Sequence, residues 1–161
     1  MVDDDSIIFQ HNTLEDGYDF SFTDMWQQVY RFKIHSFVVP SGFLSEAVEV
    51  IPDANDSVPR RFSILSDFDA DEEEAELKLM AKIKKDIDRK HLTVEDGKVN
   101  ISEDQVLIGT IGDASNNDSA YDLRLEIDGK SITIEQFVDI LNSYVGFDLK
   151  FEIFDQTDDI A

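Results

Sequence analysis

Cysteine is absent from the 161-residue chain. That excludes a disulfide framework, a thiolate metal site and a cysteine nucleophile, and it leads us to expect a cytoplasmic setting. Bases are scarce: 14 Lys and Arg stand against 36 Asp and Glu, a formal net charge of −22. Such a field repels phosphate backbones and anionic bilayers, whose binding needs clustered cations, so neither direct nucleic-acid binding nor membrane binding is expected. Long apolar runs are missing, with none near the roughly 18 residues that a spanning helix needs. The opening Met1-Val2-Asp3-Asp4-Asp5 also lacks the basic and apolar regions of a secretory signal.

What is present argues for a folded globule. Apolar residues make up 42% of the chain and phenylalanine occurs twelve times, far from the composition of a disordered segment. The length suits one domain, so 1–161 is expected to form a single α+β unit with one core and frayed acidic ends at 1–5 and 155–161. Charge is uneven: residues 1–59 carry 2 bases and 11 acids, 60–90 carry 8 and 9, and 91–161 carry 4 and 16. A nearly neutral middle is flanked by two acidic blocks. The same surplus of carboxylates also serves to keep a protein soluble and monomeric.

Tyr18, Phe20 and Phe22 alternate with polar residues, and residues 29–38 alternate more clearly. There Tyr30, Phe32 and Ile34 fall on one face and Arg31, Lys33 and His35 on the other, which predicts a strand with a solvated His35. Pro40-Ser41-Gly42 predicts a turn. Residues 43–51 fit a helix and a strand equally well. Residues 52–59 read as a loop and a tolerant insertion site rather than a domain boundary. Phe62 and Ile64 alternate into a further strand.

A helix is predicted over about 72–90, capped by Asp69 or Asp71, with Glu72, Glu73 and Glu74 in its first turn and lysines near its end, an order that complements the helix dipole. Ala75, Leu79, Ile83 and Ile87 recur every four residues as its buried stripe. Asp96-Gly97 predicts a hairpin. Residues 106–111 read as a buried strand, with Gly109 and Gly112 at points of close approach, and 112–119 as a polar loop. A strand is expected over 121–127, a turn at Asp128-Gly129, and a helix over about 134–145 that opens on the capping box Thr133 to Gln136. Gly146 suits a left-handed cap, and Phe147, Leu149, Phe151 and Ile153 alternate into a last strand. Strands that occur in groups rather than in strict alternation with helices give the fold class: α+β, a mainly antiparallel twisted sheet packed by two helices.

The stretch from about 123 to 153 resembles the end of some uncharacterised bacterial domains of unknown function. The residues that carry the resemblance are Ile127-Asp128-Gly129-Lys130, Glu135, Phe137, Gly146-Phe147 and Phe151-Glu152-Ile153. About a fifth of the chain is covered. The resemblance implies a strand, turn, helix, strand order and brings no activity with it.

No constellation of residues outweighs its structural explanation. Asp67, Asp69 and Asp71 space their oxygens as a calcium loop opens, yet its sixth and twelfth positions hold Glu72 and Lys78, so a capped helix start is expected. His11, His35 and His91 lack ligand spacing, and His91 follows a basic helix end where a cation suits the dipole. Gly109 and Gly112 are not accompanied by the further glycine, Lys and Ser or Thr of a nucleotide loop. Accordingly no catalytic, cofactor-binding or metal-ligating residue is expected. The aromatic concentration near the 40–42 turn supplies the candidate binding residues Trp26, Tyr30, His35, Phe43 and Leu44, because aromatics anchor interfaces; burial in the core is the competing explanation. The expected function is a non-enzymatic protein-interaction domain that meets a basic partner, of the immunity, inhibitor or nucleic-acid-mimic type. The alternatives are an enzyme without a short motif and a structural component that joins copies through the edge of residues 147–154.

Overall fold

The computed structural model describes residues 17–52, 58–112 and 123–158. These divide into two compact units. One holds 17–52, 59–88 and 153–158, and the other holds Val58, 89–112 and 123–152. The fold is α+β, and every strand pair among the described residues is antiparallel. Two hydrophobic clusters, one in each unit, stand where a single core was expected.

In the first unit, β1 (Tyr18–Thr23), β2 (Val29–Val39), β3 (Gly42–Glu49) and β4 (Arg61–Ser66) form a sheet in sequence order, followed by helix α1 (Glu72–Ile87). The ambiguous 43–51 segment is therefore strand, because Phe43 to Val48 pair with β4 as well as with β2. Gly42 makes the tight β2–β3 turn at φ +149°, and a Cβ there would strike the Ser66 carbonyl. Register places Tyr18, Phe22, Tyr30, Phe32, Ile34, Ala47 and Phe62 on one face. Onto the cluster that this face builds pack Leu79, Ile83 and Ile87 of α1. The stripe is buried as its spacing predicted, Leu79, Ile83 and Ile87 each contributing about 1.5–3 kcal/mol relative to exposure.

The Asp71 side chain caps α1, accepting from the Glu74 N–H at 3.3 Å, so the last of the three spaced aspartates serves as a helix cap. The helix stops at Ile87, short of the expected end near 90. The 155–158 stretch, expected to be frayed, is tied down. The Lys82 ammonium donates to the Gln156 and Asp158 carbonyls at 2.6 and 2.8 Å, and Thr157 donates twice to the Asp155 carboxylate.

In the second unit, β5 (Leu92–Glu95) and β6 (Lys98–Ile101) form a ribbon, and β7 (Thr110–Gly112), β8 (Arg124–Ile127) and β9 (Lys130–Thr133) form a sheet that leads into helix α2 (Ile134–Asn142). Both Asp-Gly turns take the predicted left-handed conformations, with φ 52° and 76° at Asp96-Gly97 and 54° and 75° at Asp128-Gly129. The short strand β9 between Asp128-Gly129 and α2 was not foreseen. The capping box is formed in both directions.

Helix α2 stops at Asn142, short of the expected end near 145, and three further expectations fail in this unit. The 106–111 run is strand only from Thr110, and Ile111 is 57% exposed, because β7 lies at the edge of its sheet. Residues 147–153 form no strand, since no ladder partner stands beside them among the described residues. His91 is buried rather than presented at a helix end, with its Nδ1 2.9 Å from the Val106 carbonyl oxygen. The Asp128 carboxylate accepts the main-chain N–H groups of His91 and Leu92 at 2.8 Å each. Gly109 is a close approach as predicted: a Cβ there would lie 2.6 Å from Ile127 Cγ1.

Candidate functional site

The cleft with the most convergent chemistry lies at one end of the four-stranded sheet, where the β2–β3 hairpin runs beyond the buried stripe of α1. Its volume is about 410 Å³. Alternation brings Tyr18, Ile34, Ser36, Val38 and Phe43 to the helix-facing side of the sheet, and the first turns of α1 add Glu72 and Glu76. Residues four apart on a helix share a face, so the two carboxylates stand one above the other over the same opening.

Hydroxyls hold Glu76 in place. The Tyr18 hydroxyl donates to Oε1 at 2.6 Å and the Ser36 hydroxyl to Oε2 at 2.7 Å. Ser36 and Ser45 face each other across the β2–β3 ladder with their oxygens 2.8 Å apart. Since the Ser36 proton goes to the carboxylate, Ser45 must donate to Ser36, and a buried chain of hydroxyls ends on Glu76. Burial first, then the hydrogen bond to Glu76 and the charges of Glu76 and Glu72, push the Tyr18 phenol well above its ordinary range. The cleft thus carries a negative field beside aromatic and aliphatic walls.

A larger groove of about 760 Å³ runs along β4 and α1, but Lys78, Lys82 and Lys85 line it together with Asp67, Asp69 and Asp71. Mixed charge of that kind selects no sign of ligand. Among the described residues no group of three or more His, Asp or Glu side chains is placed to hold a metal ion.

The five residues singled out from the sequence do not converge. Phe43 lines the cleft half-buried. His35 and Phe37 are one residue out of phase with Ser36, so they border the cleft through their main chain and project to the opposite sheet face. There the two rings stack, with centroids 5.3 Å apart. His35 is 6% exposed, which corrects the expectation of a solvated histidine: β2 is an interior strand, flanked on both sides. Leu44 is half-buried on that same opposite face. Tyr30 is a core residue whose hydroxyl donates to Asp24 Oδ2 at 3.0 Å, with the Arg60 guanidinium 5.0 Å from the ring centroid. Trp26 sits in the β1–β2 turn, 46% exposed.

Sequence reading missed Tyr18, Ser36 and Glu76, and assigned Glu72 to the helix dipole alone. The one local signal was the i, i+4 spacing of Glu72 and Glu76, a like-charge pair that an isolated helix disfavours by a few tenths of a kcal/mol.

No helix among the described residues is long and apolar enough to cross a membrane. No curated protein and no solved structure matches the chain. Residues 15–88 match the family described as Domain of unknown function (DUF7686), and residues 88–158 match Domain of unknown function (DUF7713), a match that takes in the C-terminal stretch whose resemblance the sequence suggested. The two matches meet at Asp88, the C-cap of α1, where the compact units also divide. The chain is therefore similar to two domains of unknown function in succession.

Proposed function

We propose that this protein is a non-enzymatic interaction domain that takes a basic protein partner, with the cleft between α1 and the β2–β3 hairpin as the place where a Lys or Arg side chain of that partner docks. One observation carries the reading: Glu72 and Glu76 are held one above the other beside Tyr18, Phe43 and Val38 in a cleft with no Lys or Arg among the described residues that line it. A guanidinium or ammonium entering there meets carboxylates for its charge and an aromatic wall for its stem. Glu76 is already fixed by two hydroxyls, so little ordering accompanies binding. The net charge of −22 adds steering toward a basic surface and opposes nucleic acid. The reading places the domain in the cytoplasm, in keeping with the absence of cysteine.

The test is a titration with N-acetyl-arginine amide followed by amide chemical shifts. Shifts confined to Tyr18, Ser36, Val38, Phe43 and the start of α1, lost in the Glu72→Gln/Glu76→Gln variant and weakened by salt, are the expected result. Shifts spread over the whole acidic surface, or unchanged in that variant, would reduce the charge to a solubility device.

A further inference from the structure

We propose that residues 147–151 are a strand-pairing surface by which two copies of this chain associate, antiparallel and two-fold symmetric about Leu149. The segment carries the alternation of a strand and, among the described residues, no ladder. Phe147, Leu149 and Phe151 alternate with Asp148, Lys150 and Glu152, and the Lys150 ammonium meets the Glu152 carboxylate at 3.0 Å across the i, i+2 spacing of one pleated face. The other face is apolar and open to solvent: Phe147, Leu149 and Phe151 are 63%, 73% and 69% exposed. Among the described residues no strand pairs with it. An extended segment of this kind is a template for edge-to-edge addition.

The charge pattern says which strand adds. In the register centred on Leu149, Phe147 faces Phe151, Asp148 faces Lys150 and Leu149 faces its own copy, each of the first two pairs occurring twice. Within 147–151 every apolar side chain meets an apolar one and both charges meet their opposites, while Glu152 falls opposite Gly146. Sliding to a centre on Lys150 sets Lys150 against Lys150 and Asp148 against Glu152, so that register is excluded by like charge.

The hydrogen-bonding phase is also determined. The Phe147 N–H already donates to the Tyr144 carbonyl at 2.9 Å, and the Phe147 ring meets the Tyr144 ring edge-on at 5.4 Å. With Phe147 so engaged, the phase that keeps every ladder bond pairs Asp148 with Lys150, whose main-chain groups have no partner among the described residues. Leu149 occupies the non-hydrogen-bonded position, where facing side chains approach most closely. Each copy carries −22, so screening of the net repulsion favours the pair, and added salt is expected to tighten it.

The test is sedimentation equilibrium of the whole chain over a concentration series at low and high salt, with backbone amide exchange as a second readout. A monomer–dimer equilibrium that tightens with salt is expected, with concentration-dependent protection of the Asp148 and Lys150 amides. Lys150→Asp or Asp148→Lys alone sets like charges opposite each other twice and is expected to raise the dimer dissociation constant roughly tenfold. The double variant Asp148→Lys/Lys150→Asp restores it, and so does mixing the two single variants. Asp148 and Lys150 are both exposed, and an unchanged circular dichroism spectrum checks the fold. A monomer at every concentration and salt, or a dimer indifferent to the swaps, overturns the proposal.

Discussion

Asp24 is 2% exposed, yet its carboxylate is well supplied with donors. The Trp26 and Gln28 main-chain N–H groups reach Oδ1 at 2.9 Å each, and the Tyr30 hydroxyl reaches Oδ2 at 3.0 Å. This one side chain organises the β1–β2 turn, in which Gln27 takes φ 72°. Replacing it with alanine leaves those donors facing a buried void, and the expected cost is about 2–3 kcal/mol, measured by chemical denaturation with Trp26 fluorescence as the probe. Tyr30 gives a matching pH prediction. Burial, and then the hydrogen bond to Asp24, push its phenol up to about 12. A raised value means that the folded state holds the proton more tightly than the unfolded chain does. The stabilisation is complete below about pH 10 and is lost as the pH rises toward 12. Ultraviolet titration should show Tyr30 ionising late in the native protein and near pH 10 in denaturant; coincident titrations would contradict the geometry.

Helix α1 shows how one element serves two ends. Its C-terminal half anchors the first unit's core through Leu79, Ile83 and Ile87, while its first turns carry Glu72 and Glu76 over the cleft. Ile83 is fully buried, so Ile83→Ala leaves a cavity and is expected to cost about 3 kcal/mol. In α2 the reciprocal bonds between Thr133 and Gln136 satisfy two main-chain donors, and Thr133→Ala is expected to cost about 1 kcal/mol. Measured in the same denaturant series, the first change should exceed the second clearly. The reverse order would mean that the stripe of α1 is looser than its burial indicates. Gly109 belongs to the same scale, since the residue entering β7 lies so close to β8 that a methyl group there must displace both Ile127 and the Glu126 carbonyl.

At the scale of the molecule, charge dominates. A chain of −22 repels itself over distances that salt controls: the Debye length is about 10 Å at 0.1 M and about 3 Å at 1 M. Raising salt across that range is expected to raise the thermal midpoint by a few degrees in calorimetry. A falling midpoint would show that local ion pairs such as Arg31–Asp19 and Arg89–Asp104 outweigh the general repulsion. The same salt series acts in opposite directions on the two binding proposals, weakening capture of a basic ligand in the cleft and tightening the pairing of two like-charged copies.

Whatever depends on a few neighbouring residues could be read from the chain alone. The Ala75, Leu79, Ile83, Ile87 stripe, the Asp96-Gly97 and Asp128-Gly129 turns, the Thr133 capping box and the alternation along β2 all follow from backbone conformation and from side-chain periods of 3.6 or 2. Whatever depends on which strand lies beside which could not. His35 became buried because β2 is flanked by β1 and β3, while residues 147–153, with an equally regular alternation, have no ladder among the described residues. The cleft is the sharpest instance. Tyr18, Ser36, Ser45 and Glu76 are strangers in sequence, and only the registers Tyr18↔Ile34 and Ser36↔Ser45, with α1 lying across them, bring their oxygens together. Local propensity determines the elements, but pairing is a contest among distant segments, and its outcome exists only once the chain has folded.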